Sequence, residues 1–394
     1  MRILFINALF EPFGGGAERT IKELAKLVNG LGHEVKILTL WDKEDEEVEI
    51  DGLKIYRAKI PNLYFPDGRS RPPLIKRRLW HIIEIYNPLA KRIVSRQIDI
   101  FTPHIIQIHN TYGWSSSVYD AVLESGVPGI QVIHDLHLLC PTNMFKKNSV
   151  CKKQCFICKL IRFPQKVKTN KLKAVVGLSQ FVLKKFLDEG YFTKVPIRRV
   201  LYRPIALKKC SFVRKADNNS VNFGFIGSLY PYKGVELLLK SFQKVKRANF
   251  RLYIAGRGFN DYEIYLKSKY ADESVIFMGE VSPEIFLEKV DVVVVPSLGH
   301  DTFPRVVLES LSCGIPVIGS NLGGIPEMII DGVNGIIFDP YKIGDLEEKI
   351  LMFASKIKDW RSRCSVIRNS VSNFLDFERW ANEWTDLYNS VLNL

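Results

Sequence analysis

The stretch that most constrains the fold runs from residue 291 to residue 327 and reads DVVVVPSLGHDTFPRVVLESLSCGIPVIGSNLGGIPE. Its four consecutive valines, 292–295, are typical of a parallel strand buried on both faces. The run VVLESLSC predicts a helix that Asp301 or Thr302 can cap, with Pro304 in its first turn. A second apolar run, PVI, predicts the next strand. These elements predict a βαβ unit, whose loops meet at the sheet edge where such folds bind ligands.

Glu309 is the residue of this helix that needs an explanation. Its neighbours are mostly Val and Leu, and a carboxylate buried among them without a partner costs several kcal/mol, on the order of a full desolvation penalty. Glu309 could accept hydrogen bonds from the two hydroxyls of a ribose, while the helix start at 302–305 and the amides of 322–324 could bind a phosphate. Alternatively, Glu309 pairs with a structural Arg or faces water, and Asp301 only caps the helix.

The length and composition are those of an ordinary globular protein. The 394 residues predict about two domains, and no apolar run approaches the length of a membrane span. The opening ILFINALF lacks a small-residue cleavage site, so it predicts a first strand rather than a signal peptide. A cytoplasmic location is therefore expected, in which the seven cysteines are thiols or metal ligands.

Positive charge is concentrated in the first half. Residues 1–210 contain 35 Lys or Arg and 19 Asp or Glu, whereas the remainder contains 21 and 23. This asymmetry predicts an anionic partner for the first half: nucleic acid, a phosphorylated substrate or a membrane surface.

Strands and helices alternate through both halves. Short apolar runs predict strands at 3–8, 34–40, 105–109, 129–133, 174–177, 221–226, 251–255 and 275–278, and a helix at 17–29. The glycine-rich turn FGGGAER at 13–19 precedes this helix, where a phosphate could approach the backbone. The turn is not G-x-G-x-x-G, which counts against a nicotinamide oxidoreductase.

The segment D-T-F-P-x4-E at 301–309, followed by SCGIPVI and GGIPE, resembles the E-x-F-G-x4-E signature of retaining glycosyltransferases of family four. The resemblance implies the α/β GT-B fold: two Rossmann-like domains facing across a cleft, with a C-terminal helix that crosses back to the first domain. Two positions depart from the family pattern, since Asp301 replaces a Glu and Pro304 replaces a Gly.

Other elements resemble the same family. The turn containing Gly15 and Gly16 is similar to its G-G-x-E-R loop, which lies beside the donor diphosphate and sugar. His134 begins H-D-x4-C-P, similar to a family element whose His faces the donor sugar; His109, ending the neighbouring strand, is a weaker candidate. In the loop GSLYPYKG, Lys233 is retained, but Ser228 stands where the family has Arg.

A cation must then replace this Arg at the diphosphate. The candidates are Arg305, Arg257 and Arg203, among which the sequence does not choose.

The resemblance implies a nucleotide-diphosphate sugar as donor and transfer with retention. The implied catalytic residues are Lys233, Asp301 and His134. The implied donor-binding residues are Gly15, Gly16, Ser228, Lys233, Asp301, Phe303, Pro304, Arg305, Glu309, Gly323 and Gly324. No D-x-D triplet occurs, so no catalytic metal is expected. The alternative is a degenerate GT-B binding module without transfer activity.

The domain prediction has three parts. Residues 1–205 form an acceptor-side domain with a Cys-rich insertion at about 140–170, and residues 206–372 form the nucleotide-sugar domain. Residues 373–394 form a terminal helix with an apolar face that returns to the first domain.

Residues 69–97 suggest a membrane-bound acceptor. They carry eight Lys or Arg beside an aromatic and aliphatic patch, a combination that suits an anionic bilayer. The alternative is a core helix with a solvated charged face, and nucleic acid is the weakest candidate. The sequence thus predicts peripheral binding at the inner face of the membrane and a lipid-linked or glycan acceptor.

Four cysteines cluster in the insertion: Cys140, Cys151, Cys155 and Cys158. The last three form C-x3-C-F-x-C, which resembles the iron–sulfur signature of radical-SAM enzymes, and free thiols are a further possibility. Four thiolates would close a tetrahedral site, so one structural Zn²⁺ is the preferred prediction.

Overall fold

The computed structural model describes residues 1–13, 15–65, 72–205, 220–258 and 261–394. The predicted domain boundary after residue 205 is followed by residues outside this described part, and residues 69–71 of the basic segment also lie outside it. The chain divides into two compact units. The first comprises Met1–Asn143, Lys153–Tyr202 and Phe377–Leu394, and the second comprises Met144–Lys152 and Arg203–Asp376.

The strands are β1 Arg2–Ile6, β2 Glu34–Trp41, β3 Glu46–Ile50, β4 Leu53–Lys59, β5 Ile105–Ile108, β6 Gly129–Ile133, β7 Phe145–Lys146, β8 Ser149–Val150, β9 Ala174–Gly177, β10 Ile197–Val200, β11 Val221–Ile226, β12 Phe250–Ala255, β13 Val275–Gly279, β14 Val292–Val295, β15 Val317–Ser320 and β16 Gly335–Phe338.

The helices are α1 Gly16–Gly30, α2 Leu74–Ile85, α3 Pro88–Phe101, α4 Ser117–Glu124, α5 Phe156–Ile161, α6 Phe163–Thr169, α7 Gln180–Asp188, α8 Val235–Val245, α9 Asp261–Tyr270, α10 Pro283–Leu287, α11 Arg305–Ser312, α12 Asp345–Ser355, α13 Ile357–Ser362, α14 Cys364–Asn369 and α15 Phe377–Leu392, with 3₁₀ turns at Pro231–Lys233, Ile325–Glu327 and Ser372–Phe374.

The first unit is built on a sheet of eight strands in the order β10-β9-β6-β5-β1-β2-β4-β3. Its strands pair in parallel except β3, which runs antiparallel to β4 at the edge. The central strands β1, β5, β6 and β9 consist mostly of buried β-branched residues, as expected when helices cover both faces.

The second unit contains six parallel strands in the order β13-β12-β11-β14-β15-β16. All four valines of β14 are buried, which confirms the strand that the sequence predicted there. The reversal of strand order between β11 and β14 is the switch point at which parallel sheets of this kind bind ligands. Two Rossmann-like α/β units are thus confirmed.

The terminal helix α15 belongs to the first unit, as predicted. Its apolar face is buried, including Trp380, Trp384 and Leu387. Tyr388 on the same face is hydrogen-bonded to Gln107 of β5, so the end of the chain is tied to the centre of the first sheet.

The predicted cap of helix α11 is wrong. The helix begins at Arg305, and Pro304 is the N-cap residue with an extended backbone (φ −69°, ψ 120°) and without a side-chain cap. Proline disfavours a helical conformation in the residue before it, here Phe303, so the helix cannot begin before Pro304. Asp301 and Thr302 therefore precede the helix by too many residues to cap it.

The buried indole of Trp384 should contribute strongly to the stability of the first unit. Replacing Trp384 with Ala would leave a cavity beneath α15, because the side chain is 1% exposed, and should cost about 3–5 kcal/mol of unfolding free energy. The matched control is Leu392→Ala on the same helix, where the side chain is 43% exposed and little should change. Thermal and denaturant unfolding measure both; equal midpoints for the two variants would contradict the packing described.

Candidate active site

Four loops of the second unit follow the carboxyl ends of neighbouring parallel strands. They are residues 227–234 after β11, 256–258 after β12, 296–304 after β14 and 321–324 after β15. Because these ends lie at one edge of the sheet, the loops form a continuous surface there.

Two glycines allow these loops to pack closely. Gly234 has φ +73°, and a Cβ added to it would lie 1.8 Å from the carbonyl oxygen of Pro296. Gly323 has φ +65°, and its Cβ would lie 2.0 Å from the carbonyl oxygen of Asp301. Any side chain would push the loops apart, which explains why glycine stands at both positions.

Lys233 and Asp301 form an ion pair at the centre of this surface. The Nζ atom of Lys233 lies 2.6 Å from Oδ2 of Asp301, and the hydroxyl of Ser297 donates to the same oxygen at 3.0 Å. Burial alone would lower the pKa of Lys233, but the Asp301 carboxylate and Tyr232 outweigh burial and raise it. Lys233 is therefore a fixed positive charge. A second anion could pair with it in place of the Asp301 carboxylate.

The loops are also joined through their backbones. The amides of Leu298 and Gly299 both donate to the carbonyl of Tyr232, at 2.8 and 3.0 Å. The amide of Gly324 donates to the carbonyl of Asp301 at 2.8 Å. The structure thus brings Lys233, Asp301 and the predicted glycine pair together.

Glu309 has the structural partner that the sequence left as an alternative. Its side chain is buried and accepts a hydrogen bond from Nε of Arg305, one turn earlier on α11, at 3.2 Å. Phe303 is buried against the ring of Phe374, with ring centroids 6.0 Å apart. Ribose binding by Glu309 therefore remains a prediction, because Arg305 would first have to share or release the carboxylate.

The structure separates the three candidates for the missing cation. Arg305 pairs with Glu309, and Arg203 is only 2% exposed. Arg257 is exposed, and its carbonyl accepts a hydrogen bond from the amide of Leu229 at 2.9 Å, directly after Ser228. Arg257 therefore stands on the loop next to the position where the family has its Arg.

A short hairpin from the Cys-rich segment contacts these loops. Strands β7 and β8 form it, and it clusters with the second unit rather than with the sequence around it. The ring of Phe145 lies 6.4 Å from that of Tyr232, and the amide of Val150 donates to the hydroxyl of Tyr341 at 3.0 Å. No local sequence pattern predicts these contacts.

Tyr232 and Ser297 are site residues that the sequence reasoning missed. Tyr232 supplies the carbonyl that joins two loops and a ring 5.2 Å from the Lys233 ammonium. Ser297 binds the Asp301 carboxylate. A polar residue directly after a buried strand could have indicated Ser297, as could the tyrosines of GSLYPYKG for Tyr232.

The first unit carries its own polar cluster at the ends of β5 and β6. His109 Nδ1 lies 2.9 Å from His134 Nε2, and burial together with His134 lowers the pKa of His109 well below its usual value. An N–H···N hydrogen bond therefore joins the two rings. The amide of Gly15 donates to the Glu18 carboxylate at 2.7 Å, and Gly16 begins α1.

Asp135 belongs to the same cluster. Burial raises the pKa of its carboxyl to about 6, with the nearby Glu18 carboxylate adding to the rise and the His137 amide opposing it. Burial also raises the pKa of Glu18. The Glu18 carboxylate, which follows the predicted glycine turn, therefore interacts electrostatically with Asp135 of the predicted His-Asp element.

Three of the four clustered cysteines are close together. Cys158 Sγ lies 3.4 Å from Cys140 Sγ, and burial raises the pKa of the Cys158 thiol, with the thiols of Cys140 and Cys155 adding to the rise. Cys151 follows the hairpin. Among the described residues, however, no group of three or more His, Cys, Asp or Glu is arranged to hold a metal ion.

Comparison with known proteins shows the family of the chain. A model described as Glycosyltransferase Family 4 matches residues 14–200, and one described as Glycosyl transferases group 1 matches residues 220–356. An "uncharacterized 42.6 kDa protein in cps region" of Klebsiella pneumoniae is 27% identical, over 89% of this chain and 96% of that protein.

Two further proteins extend the comparison. The phosphatidylinositol N-acetylglucosaminyltransferase GPI3 subunit of Saccharomyces cerevisiae is 23% identical, over 99% of this chain and 83% of that protein. A crystal structure of HepE from Anabaena in complex with UDP-glucose has a TM-score of 0.70 at 17% identity, covering 99% of this chain and all of that one.

The two Rossmann-like units and the likeness to HepE show the GT-B fold. Since its two family models extend over most of the sequence, the chain belongs to the family-four type of glycosyltransferases. The resemblance on which the sequence prediction rested is confirmed.

The pKa of Asp135 gives a testable pH dependence. Its folded value, about 6, lies above the roughly 3.9 of an unfolded Asp, so between these values the folded state binds more protons. Stability should therefore fall as pH rises from about 4 to about 6 and then level off.

Asp135→Asn removes this titration. The variant and the wild type should have similar thermal midpoints near pH 3.5, below the unfolded pKa of about 3.9, and the variant should be the more stable above pH 7. Parallel midpoint curves across this range would show that Asp135 does not titrate as described.

Proposed function

We propose that this chain is a retaining glycosyltransferase that moves a sugar from a nucleotide-diphosphate sugar to a lipid-linked or glycan acceptor. The observation that carries the proposal is the ion pair of Lys233 and Asp301, a fixed cation at the edge of the sheet where this fold binds ligands. HepE, which shares the fold, is crystallised with UDP-glucose, and this supports a donor of the same chemical class.

In this proposal the donor diphosphate takes the place of Asp301 on Lys233. The released carboxylate, still held by Ser297, then accepts a hydroxyl of the donor sugar. Arg257 supplies the second cation in place of the Arg that Ser228 lacks. The loop of Gly323–Gly324 and the start of α11 add backbone dipoles near the phosphates.

The nucleoside would be held by α11. Glu309 is buried on this helix, and a ribose with two vicinal hydroxyls could replace Arg305 as its hydrogen-bond partner. Arg305 would then be available to the diphosphate. In the first unit, Gly15, Gly16 and His134 keep the roles at the donor sugar that the resemblance implies, and His109 orients His134 through their hydrogen bond.

The chemistry needs no group beyond these residues. The bond from the anomeric carbon to the leaving phosphate oxygen breaks, and the acceptor oxygen bonds to the same face of that carbon. The acceptor's proton passes to the leaving phosphate oxygen. Lys233, Arg257 and the helix dipole stabilise the negative charge that develops on the diphosphate, so no catalytic metal is proposed.

Lys233→Ala tests this assignment. Loss of the cation beside the leaving group should raise the barrier by about 2–4 kcal/mol, roughly a thirtyfold to thousandfold fall in turnover. The assay measures nucleoside diphosphate release and the anomeric configuration of the product with a panel of donor sugars.

The matched control is Lys244→Ala, which removes an exposed lysine in the last turn of α8 that pairs with Glu347. Unchanged turnover in Lys233→Ala would refute the role of Lys233. Binding of a nucleoside diphosphate by the wild type without reaction of any donor would favour a binding module.

The acceptor is proposed to be lipid-linked and the protein peripheral at the cytoplasmic face of a membrane. Among the described residues, no helix is long and apolar enough to cross a bilayer. The yeast relative acts, by its name, on phosphatidylinositol, which supports a lipid acceptor here.

Helix α2 lies in the basic segment 69–97, for which a core helix was the alternative to a membrane surface. Ile75 is 74% exposed and Ile82 60% exposed, whereas Trp80 is buried. A core helix therefore explains only part of the apolar face of α2.

A structural Zn²⁺ at the cysteines is proposed separately. The Sγ atoms of Cys140 and Cys158 are 3.4 Å apart, close to the roughly 3.8 Å that two thiolates around one Zn²⁺ require. The Cys158 thiol, whose pKa burial raises, would lose its proton on binding the metal. Cys155 and Cys151 would complete the tetrahedron.

Metal analysis of protein purified without chelator should find about one Zn²⁺ per chain. Cys158→Ser should abolish this metal content, while Cys364→Ser, which alters a thiol of the second unit, should leave it unchanged. Iron with sulfide, or no metal in the wild type, would contradict the proposal.

A further inference from the structure

Helices α5 and α6 carry their apolar side chains on the outside. Five of these are exposed: Phe156 (81%), Ile157 (66%), Leu160 (66%), Phe163 (61%) and Val167 (43%). Their spacing places them along one side of the two consecutive helices. A helix of a globular protein normally turns such a stripe toward the core.

The opposite side of this segment is buried and polar. Its buried residues are Gln154, Cys158, Arg162, Gln165 and Thr169, which recur every three or four positions. Between residues 154 and 169, therefore, the usual arrangement of polar and apolar faces is inverted.

Hydrogen bonds and charge hold the inner side in place. The Gln154 amide donates to the carbonyl of Leu139 at 2.6 Å. The Arg162 guanidinium lies 3.1 Å from a ring nitrogen of His137 and 3.5 Å from the Glu84 carboxylate of α2. Burial alone would raise the pKa of Glu84, but His137, Arg162 and His81 outweigh it and lower it to about 2, so Glu84 is an anion.

The inversion has a free-energy consequence. Each large apolar side chain left in water forgoes roughly 1.5–3 kcal/mol of burial free energy. A contiguous exposed patch of this kind marks a surface that a partner covers. The polar inner contacts prevent the segment from rolling over to bury its own apolar side.

The charge around the patch identifies the partner. Between Asp135 and Asp188 the chain has twelve Lys or Arg and no Asp or Glu. Lys153 and Lys159, close in sequence to the exposed Phe156 and Ile157, are exposed as well. A surface that combines basic side chains with protruding aromatic and aliphatic ones complements an anionic lipid bilayer, with phosphates above and acyl chains below.

We infer that α5 and α6 dock onto an anionic bilayer and insert Phe156, Ile157, Leu160 and Phe163 at the level of the headgroups. The predicted membrane segment at 69–97 did not include these residues, and the ion pair of Arg162 with Glu84 ties them to α2 within it. The inference rests on the proposed function for the membrane-bound acceptor, and it specifies the surface that meets the membrane.

The test is co-sedimentation of the full chain with vesicles at low salt. Wild type should bind phosphatidylcholine–phosphatidylglycerol vesicles and bind pure phosphatidylcholine vesicles much more weakly. Phe156→Ser/Leu160→Ser should lower the partition coefficient at least about tenfold, because two inserted side chains are lost. The matched control is Ile264→Ser/Ile343→Ser, which removes two equally exposed residues of the second unit and should bind like wild type.

All four substituted side chains are already in water, so thermal midpoints should stay unchanged and confirm folding. The inference is wrong if the Phe156/Leu160 variant binds like wild type, or if both double variants lose binding equally. It is also wrong if wild type self-associates without vesicles and this variant alone becomes monomeric, because a second copy then covers the patch.

A nucleoside diphosphate thermal shift, measured on the same samples, reports the donor site separately. Vesicle binding without such a shift would refute the proposed function and leave the docking surface standing. A thermal shift without vesicle binding would refute the docking surface and leave the proposed donor site standing.

Discussion

The ion pair of Lys233 and Asp301 connects the loops after β11 and β14, and the proposed donor site of the second unit depends on it. The two loops approach closely because glycine stands at 234 and 323, where a Cβ would collide with a carbonyl of the neighbouring loop. Without a ligand, Asp301 neutralises the lysine that the diphosphate would need. In the proposed function a diphosphate, which carries more negative charge, displaces the carboxylate, so that the same lysine then binds the phosphates.

Much of this arrangement follows from the sequence. Four valines in a row predicted the buried strand β14, and the signature at 301–309 predicted the fold and the loops that form the site. The predicted cap of α11 was wrong because proline disfavours a helical conformation in the residue before it, so the helix cannot begin before Pro304. The Arg305–Glu309 pair has the i,i+4 spacing of a helical ion pair and could have been predicted. The position of Arg257 beside Ser228 could not, since it depends on the pairing of β11 with β12.

The first unit shows a different limit of sequence reasoning. An apolar stripe at helical spacing predicts a helix but does not reveal which side faces the core. In α5 and α6 the buried side is polar because Arg162 interacts there with Glu84 and His137. Both of these residues are distant from Arg162 in sequence. The contacts of the β7–β8 hairpin could not be predicted either. The hairpin contacts Tyr232 and Tyr341 of the second unit, and no local sequence pattern indicates these contacts. Contacts of this type are set by tertiary structure alone.

The central claim is that the diphosphate of a nucleotide sugar exchanges with Asp301 on Lys233. A crystal structure of the protein with a bound nucleoside diphosphate tests this most directly. The account predicts a phosphate oxygen within hydrogen-bond distance of Lys233 Nζ and a separation from Asp301 longer than the present 2.6 Å. A diphosphate bound elsewhere, with this ion pair intact, would contradict it.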